Sequence, residues 1–376
     1  MTDNQLSLPA RDELELSIFG PGFGEAILLH IGDGKWVLVD SCLDPGSGQP
    51  ASLTYLHNLN VDIGQAVKLV VATHWHDDHV RGIANLFEQC QSADFVISNA
   101  LRNEEFLALT SLYRAPSGLE SSGLDEFSKI FQLLTAQSSS GVRFNSPKFA
   151  VSDKSLYRTQ IEATLSPTEA RVFALSPSDE SILQATLAFA ELMKKEEQRR
   201  KRVASPAPNH TSVVLWAEVG HHRILLGADL EKTSNPKTGW SVIVEESTVI
   251  SGKASLFKVP HHGSENAHHD GVWSEVLLNE PFAILTPYSP GRKPLPSDAD
   301  ITRISRLTPN VYVTSPTKRQ RIRWRQRIVK EYVEQVTRSI RSIHHGWGQV
   351  RLRKRIDETS SSWQVELFGD AYVLKE

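Results

Sequence analysis

Short apolar runs separated by turn residues fill the first hundred residues, which predicts a β-meander followed by alternating strands and helices. The second and third runs are separated by Asp33-Gly34, a pair typical of hairpin turns. The fourth run is predominantly apolar and bounded by turns, as expected of a fully buried strand. The predicted strands cover residues 14–19, 26–31, 36–39, 67–72 and 95–98, and the predicted helices cover 52–59 and 83–90.

The pattern changes after residue 98 and changes back after residue 203. Helical patterns at 104–113, 124–137 and 180–202, separated by Ser-rich segments, predict a mostly helical insertion over 99–203. Strand patterns return at 212–218, 223–227, 256–259, 283–286 and 311–314. We therefore expect one domain in two halves, 12–98 and 204–316, followed by a basic C-terminal extension, 317–376. That extension either completes the second of two sheets or forms an appendage.

The composition of the 376-residue chain is that of a soluble globular protein, with 40% hydrophobic and 23% charged residues. It contains no apolar run near the ~20 residues that a membrane-spanning helix needs. The polar N-terminus lacks the plan of a secretion signal, so we expect a cytoplasmic protein without a membrane partner. Two cysteines, Cys42 and Cys90, allow neither a disulfide framework nor a CxxC metal site.

The net charge of −3 hides a basic segment near the C-terminus. Between Lys318 and Arg355 there are 13 Lys and Arg residues but only two Glu. Such an asymmetry is typical of a surface that faces a polyanion, and it is also compatible with a solvated helix face.

The most informative segment is the run from His74 to His79, which directly follows the predicted buried strand at 67–72. It contains three histidines and two aspartates, and these side chains suit zinc, manganese or iron. In a turn, His74 and His76 can point the same way, while Asp78 and His79 can hold a second ion beside the first. The alternative, a solvated histidine-rich loop, rarely follows a buried strand in this order.

This run resembles the His-x-His-x-Asp-His signature of the metallo-β-lactamase fold superfamily, position for position. Three further segments fall in that family's order: residues 38–41, in which Asp40 ends a strand and braces the metal loop; 225–230, which contains Asp229; and 259–264, with the sequence Val-Pro-His-His-Gly-Ser. Ala228 stands where most relatives have glycine. The resemblance implies an αββα sandwich, with two mixed sheets face to face, helices outside and metals at one sheet edge.

Together with residues 22–27 and 209–215, the His-His-Gly-Ser form resembles the metallo-β-lactamase domain of competence-type DNA-uptake channel proteins. This implies two divalent metal ions, zinc or manganese. His74 and His76 would hold the first ion, Asp78, His79 and His261 the second, and Asp229 would bridge them. Either His210 or Asn209 would complete the first site. His262 would instead donate a hydrogen bond to a substrate oxygen, which places it with Asp78 and Asp229 among the expected catalytic residues.

A metal-activated hydroxide can hydrolyse esters, lactams, lactones, thioesters or phosphodiesters. We expect a phosphodiesterase acting on nucleic acid or a nucleotide, because the resemblance points to DNA processing and arginines suit phosphate. The expected substrate-binding residues are Ser264, Arg321, Arg323 and Arg325. One alternative is an acyl hydrolase acting on a lactone, β-lactam or thioester, with an apolar pocket roofed by the insertion. Another is a non-catalytic binding or assembly module, and a protein partner stays open.

Overall fold

The computed structural model describes residues 6–20, 23–102, 106, 110, 123–135, 144–196, 208–289, 293–317, 346–358 and 362–374. The strands are β1 Glu13–Gly20, β2 Ala26–His30, β3 Trp36–Val39, β4 Val67–Ala72, β5 Asp94–Ser98, β6 Lys148–Ala150, β7 Lys154–Ile161, β8 Thr168–Ala174, β9 Leu215–Val219, β10 His222–Leu226, β11 Ala254–Lys258, β12 Leu277–Leu285, β13 Val311–Val313, β14 Gly348–Arg355, β15 Gln364–Gly369 and β16 Tyr372–Val373. The α-helices are α1 Ala51–Asn58, α2 Ile63–Ala66, α3 Asp77–Val80, α4 Ile83–Gln89, α5 Gly123–Thr135, α6 Asp179–Glu196, α7 Gly239–Glu246 and α8 Asp298–Ser305.

The strands form two mixed eight-stranded sheets. The first has the order β15-β14-β1-β2-β3-β4-β5-β6, and the second has the order β16-β13-β12-β11-β10-β9-β8-β7. One apolar cluster fills the space between the sheets, and two further clusters pack helices against the outer faces. The predicted αββα sandwich is therefore confirmed. Within the described part of the chain, no helix has the length and apolarity that crossing a bilayer requires.

Strand β4 shows why a mostly apolar run is the right sequence for the strand that carries the histidine-rich segment. Its Leu69 and Val71 face the second sheet, whereas Val70 and Ala72 face the helices. A strand buried on both faces has no solvent-exposed side and loses the usual polar alternation. The predicted strand at 67–72 is confirmed, and every residue in it except the partly exposed Lys68 is buried.

The expected insertion at 99–203 is less helical than its sequence suggested. Helices α5 and α6 lie where helices were predicted, while the predicted helix at 104–113 lies mostly outside the described residues. Residues 148–174, however, form strands: β6 pairs with β5 in the first sheet, and β8 pairs with β9 in the second. The buried positions in β8, Ala170, Val172 and Ala174, recur every second residue, which is the period of a strand.

The C-terminal extension is likewise part of the sandwich where the structure describes it. Strand β14 pairs antiparallel with β1 along all eight residues, and β16 pairs with β13. The C-terminal strands thus complete both sheets and are not an appendage. Two residues of the basic segment are buried in the first sheet: Arg351 donates to Glu366 at 2.8 Å and Arg353 to Glu15 at 2.7 Å. These two arginines therefore form ion pairs within the protein.

Candidate metal centre

The candidate site lies where parallel strands from both sheets end. Strands β3 and β4 run parallel in the first sheet, and β10, β11 and β12 run parallel in the second. The residues that follow these strands therefore meet at one edge of the sandwich, which is the usual place for a site in such sheets. At this edge lie the histidine-rich segment, Asp229 and the His261-His262 pair.

The first group of donor atoms comes from His74, His76 and Asp229, all within 4.8 Å of one another. His74 Nε2 lies 3.0 Å from His76 Nδ1. On its other side, His74 Nδ1 lies 3.0 Å from the hydroxyl of Thr73. The two imidazoles therefore turn their facing nitrogens toward one point, as the sequence spacing predicted.

The second group of donor atoms comes from Asp78, His79, Asp229 and His262, again within 4.8 Å. His262 Nε2 lies 3.2 Å from Asp78 Oδ2, and His79 Nε2 lies 3.3 Å from Asp229 Oδ1. All four side chains are buried. Because Asp229 belongs to both groups, it can bridge two cations, in agreement with its expected role.

His262, rather than His261, belongs to the second donor group, so the expected assignment within this pair is wrong. His262 Nδ1 lies 2.8 Å from the carbonyl oxygen of Thr286, which leaves Nε2 free to act as a ligand. His261 is partly exposed, and its Nδ1 lies 3.0 Å from Asn266 Oδ1. Residues 261–263 have φ angles of 46°, 54° and 85°. This left-handed turn decides which of two adjacent histidines faces inward, and spacing alone cannot reveal it.

The structure also separates His210 from the donor groups. The His210 side chain is 44% exposed, and its Nε2 lies 3.5 Å from Glu231. Its neighbour Asn209 is buried, donates to Glu231 Oε1 at 2.8 Å, and leaves its own Oδ1 without a hydrogen-bond partner. Asn209 is therefore the inward-facing member of the pair that the sequence left open, and the expected ligand His210 pairs with a carboxylate at the rim.

Asp40 braces the histidine-rich segment as expected. Its carboxylate accepts hydrogen bonds from the Thr73 backbone N–H at 2.8 Å and from the Thr73 hydroxyl at 2.7 Å. His79 Nδ1 lies 2.7 Å from Asp40 Oδ2. A carboxylate at this position holds the proton on Nδ1 and leaves Nε2 as the ligand atom, an arrangement typical of metal-binding histidines.

Sequence reasoning missed the buried pair of Glu25 and Lys258 behind the donor atoms. Lys258 Nζ lies 2.6 Å from Glu25 Oε2 and 4.0 Å from Asp229 Oδ1, and both members of the pair are fully buried. A lysine at the buried end of strand β11 was the available signal. Tyr288 was missed as well, and its ring centre lies 5.2 Å from that of His262.

The pKa shifts of His79 and Asp229 show that the site favours positive charge. Burial disfavours the charged form of His79, but Asp229, Glu25, Asp40 and Asp78 outweigh it and raise the His79 pKa well above its usual value. Burial would raise the pKa of Asp229, yet His79 and His262 hold it well below its usual value. The site therefore demands positive charge. His79 Nε2 and Asp229 Oδ1 are both buried without a hydrogen-bond partner, so these residues fit a divalent cation.

Of the predicted substrate-binding residues, Ser264 belongs to neither donor group and the three arginines are not among the described residues. Ser264 lines a narrow cavity with Trp240, Phe257 and Trp273, away from the donor atoms. Arg321, Arg323 and Arg325 lie outside the described residues.

Comparison with solved structures returns matches at low identity and low TM-score. The metallo-beta-lactamase fold protein YhfI from Bacillus subtilis is 14% identical, with 80% of this chain and 95% of that chain covered and a TM-score of 0.38. MEM-A1, a subclass B3 metallo-beta-lactamase from a soil metagenome library, is 13% identical, with 72% and 87% covered and a TM-score of 0.31. Zn(2+)-bound PqqB from Methylobacterium extorquens is 14% identical, with 62% and 58% covered and a TM-score of 0.29. No curated protein sequence matches this chain.

The sequence-family comparison covers two thirds of the chain. Residues 19–270 match Lactamase_B, the metallo-beta-lactamase superfamily. The matched region begins in β1 and ends beyond the His261-His262 turn, so it includes every member of both donor groups. The fold of this superfamily is that of metal-dependent hydrolases. On this match, and with the two donor groups in place, the chain belongs to the metallo-beta-lactamase superfamily.

Proposed function

We propose that this protein is a two-metal phosphodiesterase that acts on nucleic acid or a nucleotide. The observation that carries the hydrolytic part is the sharing of Asp229 by two adjacent groups of donor atoms. Zinc or manganese would be held by His74, His76 and Asp229 on one side and by Asp78, His79, His262 and Asp229 on the other. Two such cations supply Lewis acidity and lower the pKa of water, which suits an in-line displacement.

The protein's own side chains would prepare the site for this chemistry. Asp40 and the Thr286 carbonyl orient His79 and His262. Tyr288, which is partly exposed beside His262, would contact the substrate. The preference for phosphodiesters is supported by the resemblance to a DNA-processing subgroup and by the arginine-rich segment that begins at Lys318. Both features are properties of the sequence, and guanidinium groups pair well with phosphate.

A direct test uses bis-p-nitrophenyl phosphate and single-stranded DNA with manganese or zinc. The wild type should cleave at least one of them, and Asp78→Asn should lower kcat at least 100-fold while the fold is retained. Glu88→Gln, an exposed carboxylate variant on α4, serves as the control. If the wild type leaves both substrates intact with every divalent ion tried, the proposal fails.

A second test examines the basic segment. Replacing Arg321, Arg323 and Arg325 with Gln should weaken single-stranded DNA binding and reduce the slope of log K against log salt by ~2. The matched control replaces three exposed basic residues of the described surface, namely Lys154, Arg158 and Lys253. An unchanged slope in the first variant would remove the segment from the binding site.

One structural observation favours a second candidate, an acyl hydrolase. A cavity of about 210 Å³ lies under α6, and its largely apolar lining includes Trp75, Phe189 and Pro208. His210 also lines it, so the cavity adjoins the edge where the donor groups lie. Such a pocket suits the body of a small ester or lactone. A panel of lactone, β-lactam and thioester substrates, run beside the phosphodiesters, separates the two candidates by kcat/KM.

A further inference from the structure

The buried pair of Glu25 and Lys258 lies at the centre of a network of hydrogen bonds and close charge contacts that reaches three of the four members of the second donor group. Lys258 Nζ donates to the carbonyl oxygen of Ala228 at 3.2 Å and lies 4.0 Å from Asp229 Oδ1. Ala228 has a φ angle of 45°, a conformation that is costly for alanine. Lys258 therefore holds the strained peptide that presents Asp229.

Glu25 carries the network to both histidines of this donor group. Thr286 donates its hydroxyl proton to Glu25 Oε2, while its carbonyl oxygen accepts from His262 Nδ1. The other carboxylate oxygen of Glu25 has no hydrogen-bond partner and lies 3.7 Å from His79 Nδ1. One connected path thus runs from His262 through Thr286, Glu25 and Lys258 to Asp229.

Two turns of the second sheet meet in the same network. The Ala228 carbonyl oxygen accepts from both Lys258 Nζ and the backbone N–H of His261, at 3.2 and 3.0 Å. The turn that carries Asp229 is therefore tied to the turn that carries His262. Lys258 also supplies an ammonium charge beside Asp229 and Glu25, which lessens their mutual repulsion when no cation is bound.

We propose that Glu25 and Lys258 are positioning residues that preset the second donor group for its cation. The proposal concerns metal binding and holds whichever bond the protein cleaves; it rests on the two-metal centre assumed in the proposed function. Groups that hydrogen-bond to metal ligands usually have this positioning role. Loss of such a group typically lowers metal affinity ~10–100-fold.

The test separates positioning from a purely structural role. Glu25→Gln or Lys258→Met alone leaves one buried charge without its partner, which destabilises the fold. The double variant E25Q/K258M removes both charges and keeps similar side-chain volumes. Zinc titration by calorimetry and the visible spectrum of the Co²⁺-loaded protein report on the site without an activity assay. We expect the double variant to bind the second equivalent ~10–100-fold more weakly than the wild type and to show an altered Co²⁺ spectrum.

The matched control is the double variant E15Q/R353M. Glu15 and Arg353 form another buried ion pair of the first sheet, 2.6 Å apart, and their hydrogen bonds involve no donor residue of the candidate centre. This control should bind both equivalents as the wild type does. Glu25→Asp keeps both charges but withdraws the carboxylate by one methylene, so it tests the same point should E25Q/K258M not fold, and we expect about tenfold weaker binding.

Wild-type affinity in E25Q/K258M, or in Glu25→Asp if the double variant does not fold, would overturn the proposal. Equal losses in E15Q/R353M would overturn it too, because the effect would then be a general one of removing buried pairs. If the wild type itself bound no metal, the proposed function would fail together with this inference. Two equivalents bound with equal affinity by the wild type and by E25Q/K258M would remove this inference alone.

Discussion

Asp40 Oδ2 lies 2.7 Å from Nδ1 of His79, and this contact joins the end of strand β3 to the histidine-rich segment that follows β4. Asp40 adopts a φ angle of 58°, which turns its carboxylate back over β4. From there it also accepts the N–H and hydroxyl protons of Thr73. A single carboxylate therefore fixes both the path of the segment and the tautomer of its last histidine.

Replacing Asp40 with Asn should weaken metal binding ~10–100-fold. The amide has one oxygen and one NH₂ group, so the NH₂ group faces either the Thr73 backbone N–H, which is itself a donor, or His79 Nδ1, where it favours the wrong His79 tautomer. Competition with a chromophoric chelator measures the change. Asp153→Asn is the control, since Asp153 has a φ angle of 59° and accepts the N–H and hydroxyl protons of Thr248. Equal affinities for Asp40→Asn and the wild type would contradict the bracing role.

The assignment within the adjacent histidine pair predicts opposite results for two alanine variants. His262→Ala should lower the metal content from two equivalents toward one and reduce hydrolytic activity at least 100-fold, because it removes a donor atom from the second group. His261→Ala should retain both equivalents, since its ring contacts Asn266 at the rim. Elemental analysis of the two purified variants decides the matter, and the reverse pattern would restore the sequence-based assignment.

His30 predicts a pH dependence of stability remote from the donor groups. Its ring is buried, with Nδ1 2.7 Å from the Glu13 carbonyl oxygen and Nε2 accepting from the Gly34 N–H at 3.0 Å. Burial lowers the pKa of His30 to about 4, below its ordinary value of 6.5. As the pH falls below 6.5, His30 becomes protonated in the unfolded chain, whereas in the folded chain it stays neutral until about pH 4. The free energy of unfolding therefore decreases on acidification.

The slope attributable to His30 is up to ~1.4 kcal/mol per pH unit in the free energy of unfolding. Urea denaturation between pH 7 and pH 5 should show this slope in the wild type, and His30→Gln should flatten it despite a lower stability at pH 7. His57→Gln, at an exposed position of α1, should leave the slope unchanged. A wild-type slope in His30→Gln would exclude His30 as its source.

The two cysteines should be inert in the folded protein. Both are buried free thiols, and burial raises the pKa of Cys90 to about 12 and that of Cys42 well above its usual value. Because the thiolate is the reactive form, a thiol reagent such as DTNB should label neither residue in the native state and both in denaturant. Rapid labelling of Cys42 before unfolding would place it on an accessible surface instead.

The sequence predicted those parts of the fold and site that depend on local pattern. The apolar strand β4 and the spacing of His74, His76, Asp78 and His79 were sufficient to predict a metal-binding segment directly after a buried strand. Asp40 and Asp229 followed from the resemblance of residues 38–41 and 225–230 to motifs of the metallo-β-lactamase superfamily. Each of these inferences rests on residues that are near one another in sequence.

What the sequence did not reveal depends on long-range pairing and on backbone conformation. The sequence did not show that strand β14 pairs with β1, from Glu13 opposite Arg355 to Gly20 opposite Gly348. Strands β6 and β7 are short or half-exposed and lie between predicted helices, so their pairing partners identify them. Strand β8 does show the two-residue period of a strand in its buried positions. The choice between His261 and His262 depends on a left-handed turn, and the ion pair of Glu25 and Lys258 joins distant segments.

The central claim is that two cations are held by two groups of donor atoms that share Asp229. Anomalous diffraction from crystals grown with zinc tests it most directly. The account predicts two peaks ~3.5–4 Å apart. One should lie against His74 and His76, the other against Asp78, His79 and His262, with Asp229 between them. No peak at this edge, or a cation held by His261 and His210 instead, would contradict the account.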